Sequence, residues 1–114
     1  MAELTLFEKI INRDIPADIV FEDDICLAFR DISPQAPQHI LLIPKKALPK
    51  LSDASPEDQA ILGHLMCKAG DRAREQGFEE AFRLVVNNGA GAQQTVFHLH
   101  LHLLAGRSFT WPPG

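Results

Sequence analysis

The chain has 114 residues, 46% of them hydrophobic, which is enough for one domain with a real core but leaves little room for a deep cleft. Its net charge is −4 and its 11 Lys and Arg are scattered, so neither a nucleic-acid footprint nor a membrane-binding face is expected. No stretch approaches the ~20 apolar residues of a transmembrane helix. Met1-Ala2-Glu3 carries no basic n-region, so no secretory signal is expected, and Cys26 and Cys67 read as two reduced thiols of a cytoplasmic protein. A site on so small a domain is expected on an open sheet face or completed by a second subunit.

In chain order, Thr5 and Glu8 form a capping box, with Leu6, Phe7, Ile10 and Ile11 as an apolar stripe behind it; the pattern predicts a helix from about Leu6 to Asn12. Pro16 ends that element. Asp18 to Glu22 and Ile25 to Asp31 are β-prone runs joined across Asp23-Asp24, as in a hairpin. Ser33-Pro34-Gln35-Ala36-Pro37-Gln38 is an extended loop, because its prolines exclude helix and central strand. His39 to Ile43 reads as a central strand apolar on both faces, stopped by Pro44.

Ser55 to Gln76 is the strongest helix signal: Ser55 at the N-cap, Pro56 at the first position, Asp58 closing a capping box, and Gly77 past the end. Its buried stripe is expected to comprise Ile61, Leu62, Leu65, Met66, Ala69 and Ala73. His64 falls beside that stripe with no titratable cluster near it in sequence, so it reads as a boundary histidine. Phe82 to Asn87 is a further strand, and the loop from Asn88 to Thr95 leads into Val96-Phe97-His98-Leu99-His100-Leu101-His102-Leu103-Leu104. The order α-β-β-β-α-β-β, with short connections inside each strand group, predicts an α+β domain with an antiparallel sheet carrying helices. The tail from residue 105 to 114 holds the only tryptophan, Trp111.

The alternating stretch carries the chemistry. On a strand His98, His100 and His102 project to one side, roughly 6–7 Å apart, and Leu99, Leu101 and Leu103 to the other. Two histidines at i and i+2 can share a metal ion, but zinc wants a tetrahedral set with ligands ~2.0–2.1 Å away. A third histidine at i+4 does not readily reach the same ion. His39 is one further candidate ligand, and no cysteine or carboxylate lies near in sequence, so neither a metal nor another cofactor is expected. A neutral imidazole is also a good nucleophile toward phosphorus near pH 7, and a general acid or base. His100, flanked on both sides, is the natural nucleophile, and its product would be a phosphohistidine that water then hydrolyses. Gly89 and Gly91 lack the spacing of a P-loop, and Lys45 and Lys46 read as solvated charges.

His98-Leu99-His100-Leu101-His102-Leu103-Leu104 resembles the signature of the histidine triad (HIT) family. Leu6-Phe7-Glu8-Lys9-Ile10-Ile11, Ile15-Pro16-Ala17, Phe21-Glu22-Asp23-Asp24, Asp31-Ile32-Ser33-Pro34-Gln35-Ala36-Pro37, His39, Ile43-Pro44-Lys45-Lys46 and Trp111-Pro112-Pro113-Gly114 resemble its Hint branch. The resemblance implies a HIT-like fold, a single domain over residues 1–114, two five-stranded sheets joined in a homodimer, and a purine nucleoside phosphoramidase. It implies that His100 attacks the α-phosphate of an adenosine or guanosine phosphoramidate, flanked by His98 and His102 and supported by His39. It further implies that Asn87, Gln94 and Thr95 contact the phosphate or leaving group and that Asp31 accepts the ribose hydroxyls. Phe7, Ile10 and Ile32 would wall the base pocket, and Trp111 would lie near the partner's site. Read without that resemblance, Phe7 and Ile10 go to the core and Asp31 is a turn residue. A nucleotide-binding interaction protein with incidental hydrolysis and a dinucleoside polyphosphate hydrolase are the alternatives.

Overall fold

The computed structural model describes residues 3–114; Met1 and Ala2, on which the reading of the N-terminus rests, lie outside the described residues. The elements are α1 (Leu6–Ile11), β1 (Ile19–Glu22), β2 (Cys26–Arg30), β3 (Gln38–Pro44), α2 (Gln59–Glu75), β4 (Phe82–Val85) and β5 (Leu101–Ala105). The five strands form one antiparallel sheet in the order β1-β2-β3-β5-β4. The expected α+β order is therefore present. Among the described residues no helix is long and apolar enough to cross a membrane.

Local chemistry sets each boundary. The Thr5 hydroxyl accepts from the Glu8 N–H at 3.1 Å and the Glu8 carboxylate accepts from the Thr5 N–H at 3.0 Å, so α1 starts on its capping box. The long helix departs slightly from expectation, because its first turn, Pro56–Asp58, is 3-10 and the α-helix proper begins at Gln59. Buried Asp58 accepts from the Ser55 N–H at 2.9 Å and from Lys46 Nζ at 2.6 Å, and the Lys46 bond holds its carboxyl below the usual range. Lys46 and Lys45 remain on the surface, as expected of solvated charges, but each also has a partner: Lys46 holds the helix start, and Lys45 pairs with Glu22 at 2.9 Å. Gly77 takes φ +78 after the helix, the left-handed position that favours glycine.

The two faces of the sheet bury different clusters. Cys26, Ala28, Ile40, Leu42, Leu99, Leu101 and Leu103 pack with Leu65 and Ala69 of α2. Leu27, Phe29, Leu41 and Ile43 pack on the other face with Phe7 and Ile10 of α1. β3 therefore feeds both cores, as its unbroken apolar run demands. The stripe on α2 is narrower than its pattern suggested: Leu65, Ala69 and Ala73 are buried, whereas Met66 is 54% exposed. The helix meets the sheet along one line of small residues, and Met66 falls to the far side of that line.

His64 is half-buried, the boundary position expected of it, but the expectation that no titratable cluster lies around it is corrected. Its Nε2 lies 2.6 Å from Asp23 Oδ2, and Asp23 Oδ1 accepts from the N–H groups of Ile25 and Cys26, each at 2.8 Å. A titratable cluster does surround it, assembled across 41 residues of sequence, and it ties α2 to the β1–β2 turn. In the same core, Leu65→Ala is expected to lower stability by about 2–5 kcal/mol, because the sheet beneath it cannot close over the cavity. Denaturant unfolding of the two proteins measures that loss.

Candidate active site

The histidine stretch splits into two parts. Only His102 lies in β5; His98 and His100 lie in the extended segment that leads into it. The reason is Pro44. The β3–β5 ladder runs from Gln38↔Ala105 to Leu42↔Leu101; in that register Pro44 would face Leu99, two pairs on, and it has no N–H to contribute. The Leu99 N–H instead donates to Leu48 O at 2.6 Å, and Gln94 holds the loop before it. Gln94 Oε1 accepts from the Gly89 N–H at 2.8 Å, while Nε2 donates to Pro49 O at 2.7 Å and Val96 O at 3.1 Å. The expected alternation survives without the ladder: Leu99, Leu101 and Leu103 face α2, and the three imidazoles face Phe7 and one another.

Every imidazole has a hydrogen bond that fixes where its proton sits. A backbone carbonyl can only accept, so His98 Nε2, 2.7 Å from Pro44 O, carries a hydrogen. By the same logic His100 Nδ1, 2.8 Å from His98 O, carries one, which leaves Nε2 of a neutral His100 with a bare lone pair. A backbone N–H can only donate, so His39 Nδ1, 3.0 Å from Gln35 N, is the acceptor and its proton is on Nε2. That proton points at His102 Nδ1, 2.9 Å away, and His102 therefore keeps its hydrogen on Nε2. A wrong tautomer would strand one buried polar atom, at a cost of about 1–3 kcal/mol.

Burial also sets the charge state. Desolvation pushes His39, His98 and His102 below the ordinary imidazole value; for His39 the Asp31 carboxylate, 3.5 Å from Nε2, partly opposes it. His102 goes down to about 4, through burial first and then through His100 and His39. These three are neutral at pH 7.

A cavity of about 550 Å³ opens beside the imidazoles, within the range of nucleotide-sized pockets. His100 and His102 stand at one end with Thr95, and Asp31 lies beside them. Phe7, Ile10 and Ile32 line it, Ile32 being 97% exposed. Phe7 serves both readings, since it is buried in the α1 core and presents its ring edge to His100 at 4.9 Å between centroids. Asp31 is likewise a turn residue, accepting the Ser33 N–H at 2.7 Å, as well as a wall of the cavity. Gln94, Asn87 and Trp111 do not line it. Gln94 is buried in the loop bonds described above, Asn87 is half-buried after β4, and Trp111, 84% exposed, borders a separate hollow with Arg83 to Val86. His39 and His98 stand behind the cavity wall. Phe29 and Leu41 are walls that the sequence pattern hid among core residues; their direct pairing across β2 and β3 puts them on the histidine face.

Two groups among the described residues bring three metal-ligating atoms within 4.8 Å of one another: Asp31, His39 and His102, and Asp23, Cys26 and His64. The first departs from the linear expectation, since it joins one triad member to His39 and a carboxylate from another loop. In both, the nitrogen nearest the other ligands is already hydrogen-bonded, so an ion would have to replace a proton.

The depressed histidines make a pH prediction. A folded value below the unfolded 6.5 means the unfolded chain binds protons first as pH falls. Stability from His102 is thus complete above pH 6.5 and is lost toward pH 4. Thermal unfolding across that window is expected to show a declining Tm, with a shallower slope in His102→Asn.

The chain is similar to known proteins over its whole length. A model of the HIT domain matches residues 12–109. A HIT-like protein of Synechocystis is 66% identical over 114 residues, covering 100% of both chains. Adenylylsulfatase HINT1 of Arabidopsis thaliana is 51% identical over 112 residues, 96% of this chain and 76% of that one. The crystal structure of a HIT family hydrolase from Legionella pneumophila superposes with a TM-score of 0.94 at 49% identity, covering 96% of this chain and 98% of that one. With the triad, the sheet order and these relatives in agreement, the chain belongs to the HIT domain family.

Proposed function

We propose that the chain is a nucleotide hydrolase of the Hint type, a purine nucleoside phosphoramidase that cleaves the P–N bond of adenosine or guanosine 5′-monophosphoramidates. The observation that carries this reading is the bare Nε2 of His100, fixed by the bond from Nδ1 to His98 O and exposed to a nucleotide-sized cavity. In the first step Nε2 forms a bond to the α-phosphorus, the P–N bond breaks and the amine nitrogen takes a proton from solvent as it leaves, a proton that the attacking water of the second step gives back. The positive charge on the nucleotidyl imidazole is stabilised by the Nδ1–H bond to the carbonyl. His102, neutral with its hydrogen on Nε2, donates to a phosphate oxygen as charge develops there. In the second step water attacks phosphorus and returns the imidazole. The base lies against Phe7, Ile10 and Ile32, the ribose hydroxyls donate to Asp31, and Thr95 supplies a hydroxyl near the leaving group. Gln94 contributes by holding the loop that carries Thr95.

This cycle assigns no role to a metal or other cofactor. The name of the Arabidopsis relative supports a variation on the same chemistry, with sulfate in place of the amine on an adenylyl group. A homodimer joined through the β4 edge is part of the proposal, supported by the exposed Trp111 and the hollow of about 450 Å³ beside that strand. In such a dimer Asn87 and Trp111, which follow β4 and end the tail, approach the partner's site.

Steady-state hydrolysis of adenosine 5′-monophosphoramidate tests the proposal. Turnover is expected to persist in EDTA and to fall by about 10³-fold or more in His100→Ala, as for loss of a nucleophile. Loss of turnover in EDTA would move the chemistry to a metal. Asp31→Asn is expected to raise KM several-fold with a smaller change in kcat; an unchanged KM would remove Asp31 from the ribose. Sedimentation equilibrium reports the oligomeric state directly.

A further inference from the structure

The hydrogen-bond chain behind His102 does not end at His39. Gln35, whose N–H donates to His39 Nδ1 at 3.0 Å, accepts at its carbonyl from Arg107 Nε at 2.9 Å. Arg107 follows β5 and reaches across to the loop between β2 and β3. Its guanidinium lies 4.5 Å from the Phe109 ring, with Arg83 on that ring at 4.9 Å, and its Nη1 donates to Ser108 O at 3.0 Å. The residue before it, Gly106, has φ +95 and sits directly on Pro37; a Cβ there would lie 2.9 Å from Pro37 Cβ. Two adjacent residues at the exit of β5 thus grip the same loop that supplies the His39 partner.

We propose that Arg107 is a positioning residue which, by clamping Gln35, sets the tautomers of His39 and His102. This inference rests on the reading of His102 as a donor to phosphate. With the Gln35 N–H held on Nδ1, the His39 proton stays on Nε2 and the His102 proton stays on its own Nε2, aimed at the cavity. When the clamp is lost and the Gln35 N–H withdraws, His39 is free to carry its proton on Nδ1. His102 then donates from Nδ1 to His39 Nε2 and presents a bare nitrogen to phosphate. No proton is gained or lost in this exchange: one moves from Nε2 to Nδ1 on each ring. The unguarded Nδ1 of His39 is also open to full protonation. The titratable and charged groups facing His39 are Asp31 from the loop after β2 and His102 from β5, with His100 beyond it. None of them replaces the Gln35 N–H.

Arg107→Met, which keeps an unbranched side chain but removes the donors and the guanidinium on Phe109, and Arg107→Lys, which restores one donor without the guanidinium plane, separate clamping from packing. Arg107→Met is expected to lose about tenfold in kcat, the scale of a slightly misplaced catalytic group, with KM within about twofold. The acid limb of its pH–rate profile should move upward, and Arg107→Lys should recover most of the loss. Long-range 1H–15N spectra of the imidazoles give a readout independent of turnover: His39 with a protonated Nε2 and a bare Nδ1 in the parent, and a changed pattern in Arg107→Met. An unchanged His39 pattern in Arg107→Met, or equal loss in both variants, overturns the clamp. If the parent hydrolyses no phosphoramidate while the His39 pattern shifts in Arg107→Met, the substrate assignment fails and the clamp stands.

Discussion

A row of imidazoles buried against a sheet has to settle its protons, and the rest of the site follows from how it does so. Water would let each ring exchange tautomers freely. Here His98, His39 and His100 are buried and His102 is half-buried, and each ring has a backbone group or another ring as its partner. Carbonyls select protonated nitrogens and the Gln35 amide selects a bare one. A penalty of about 1–3 kcal/mol for the wrong choice amounts to roughly 5- to 150-fold in population. The chain His39–His102 and the bond His100–His98 O therefore present a lone pair and an N–H side by side at one end of the cavity. Burial adds the neutrality of His39 and His102 that this division of labour needs at pH 7.

Pro44 organises the same site through the backbone. It ends the β3–β5 ladder, so the segment holding His98 and His100 leaves the sheet and is anchored by Leu48 and Gln94 instead. Its carbonyl then accepts from His98. A ladder continued to residue 98 would have committed the His98 carbonyl to a neighbouring strand. Freed from it, that carbonyl accepts from His100. A strand terminator is thus part of the geometry of the proposed site.

Much of this was legible in the sequence because it depended on local periodicity. The alternation from His98 to Leu104 put three imidazoles on one face whether or not the ladder reached them, and the capping boxes of Thr5 and Ser55 located both helices. What escaped was set by partners distant in the chain. His64 meets Asp23 and Lys46 meets Asp58 only after the chain folds, so their boundary and surface positions were legible but their partners were not. Met66 shares the spacing of the buried stripe but falls beyond the narrow contact line of the helix. Gln94 was placed by likeness near phosphate, yet its amide is occupied by three backbone groups, two of which flank it at residues 89 and 96. Phe29 and Leu41 were invisible as cavity walls because a wall and a core residue have the same chemistry.

The proposed chemistry turns on His100 Nε2 as the atom that bonds to phosphorus. Base-quenched single turnovers with an adenosine phosphoramidate carrying a labelled adenine, followed by peptide mass mapping at alkaline pH to preserve the acid-labile P–N bond, look at that bond directly. An adenylyl group on His100, formed and lost at rates that match turnover, is the predicted result. Turnover without any adduct, or an adduct carried by another histidine, would contradict it.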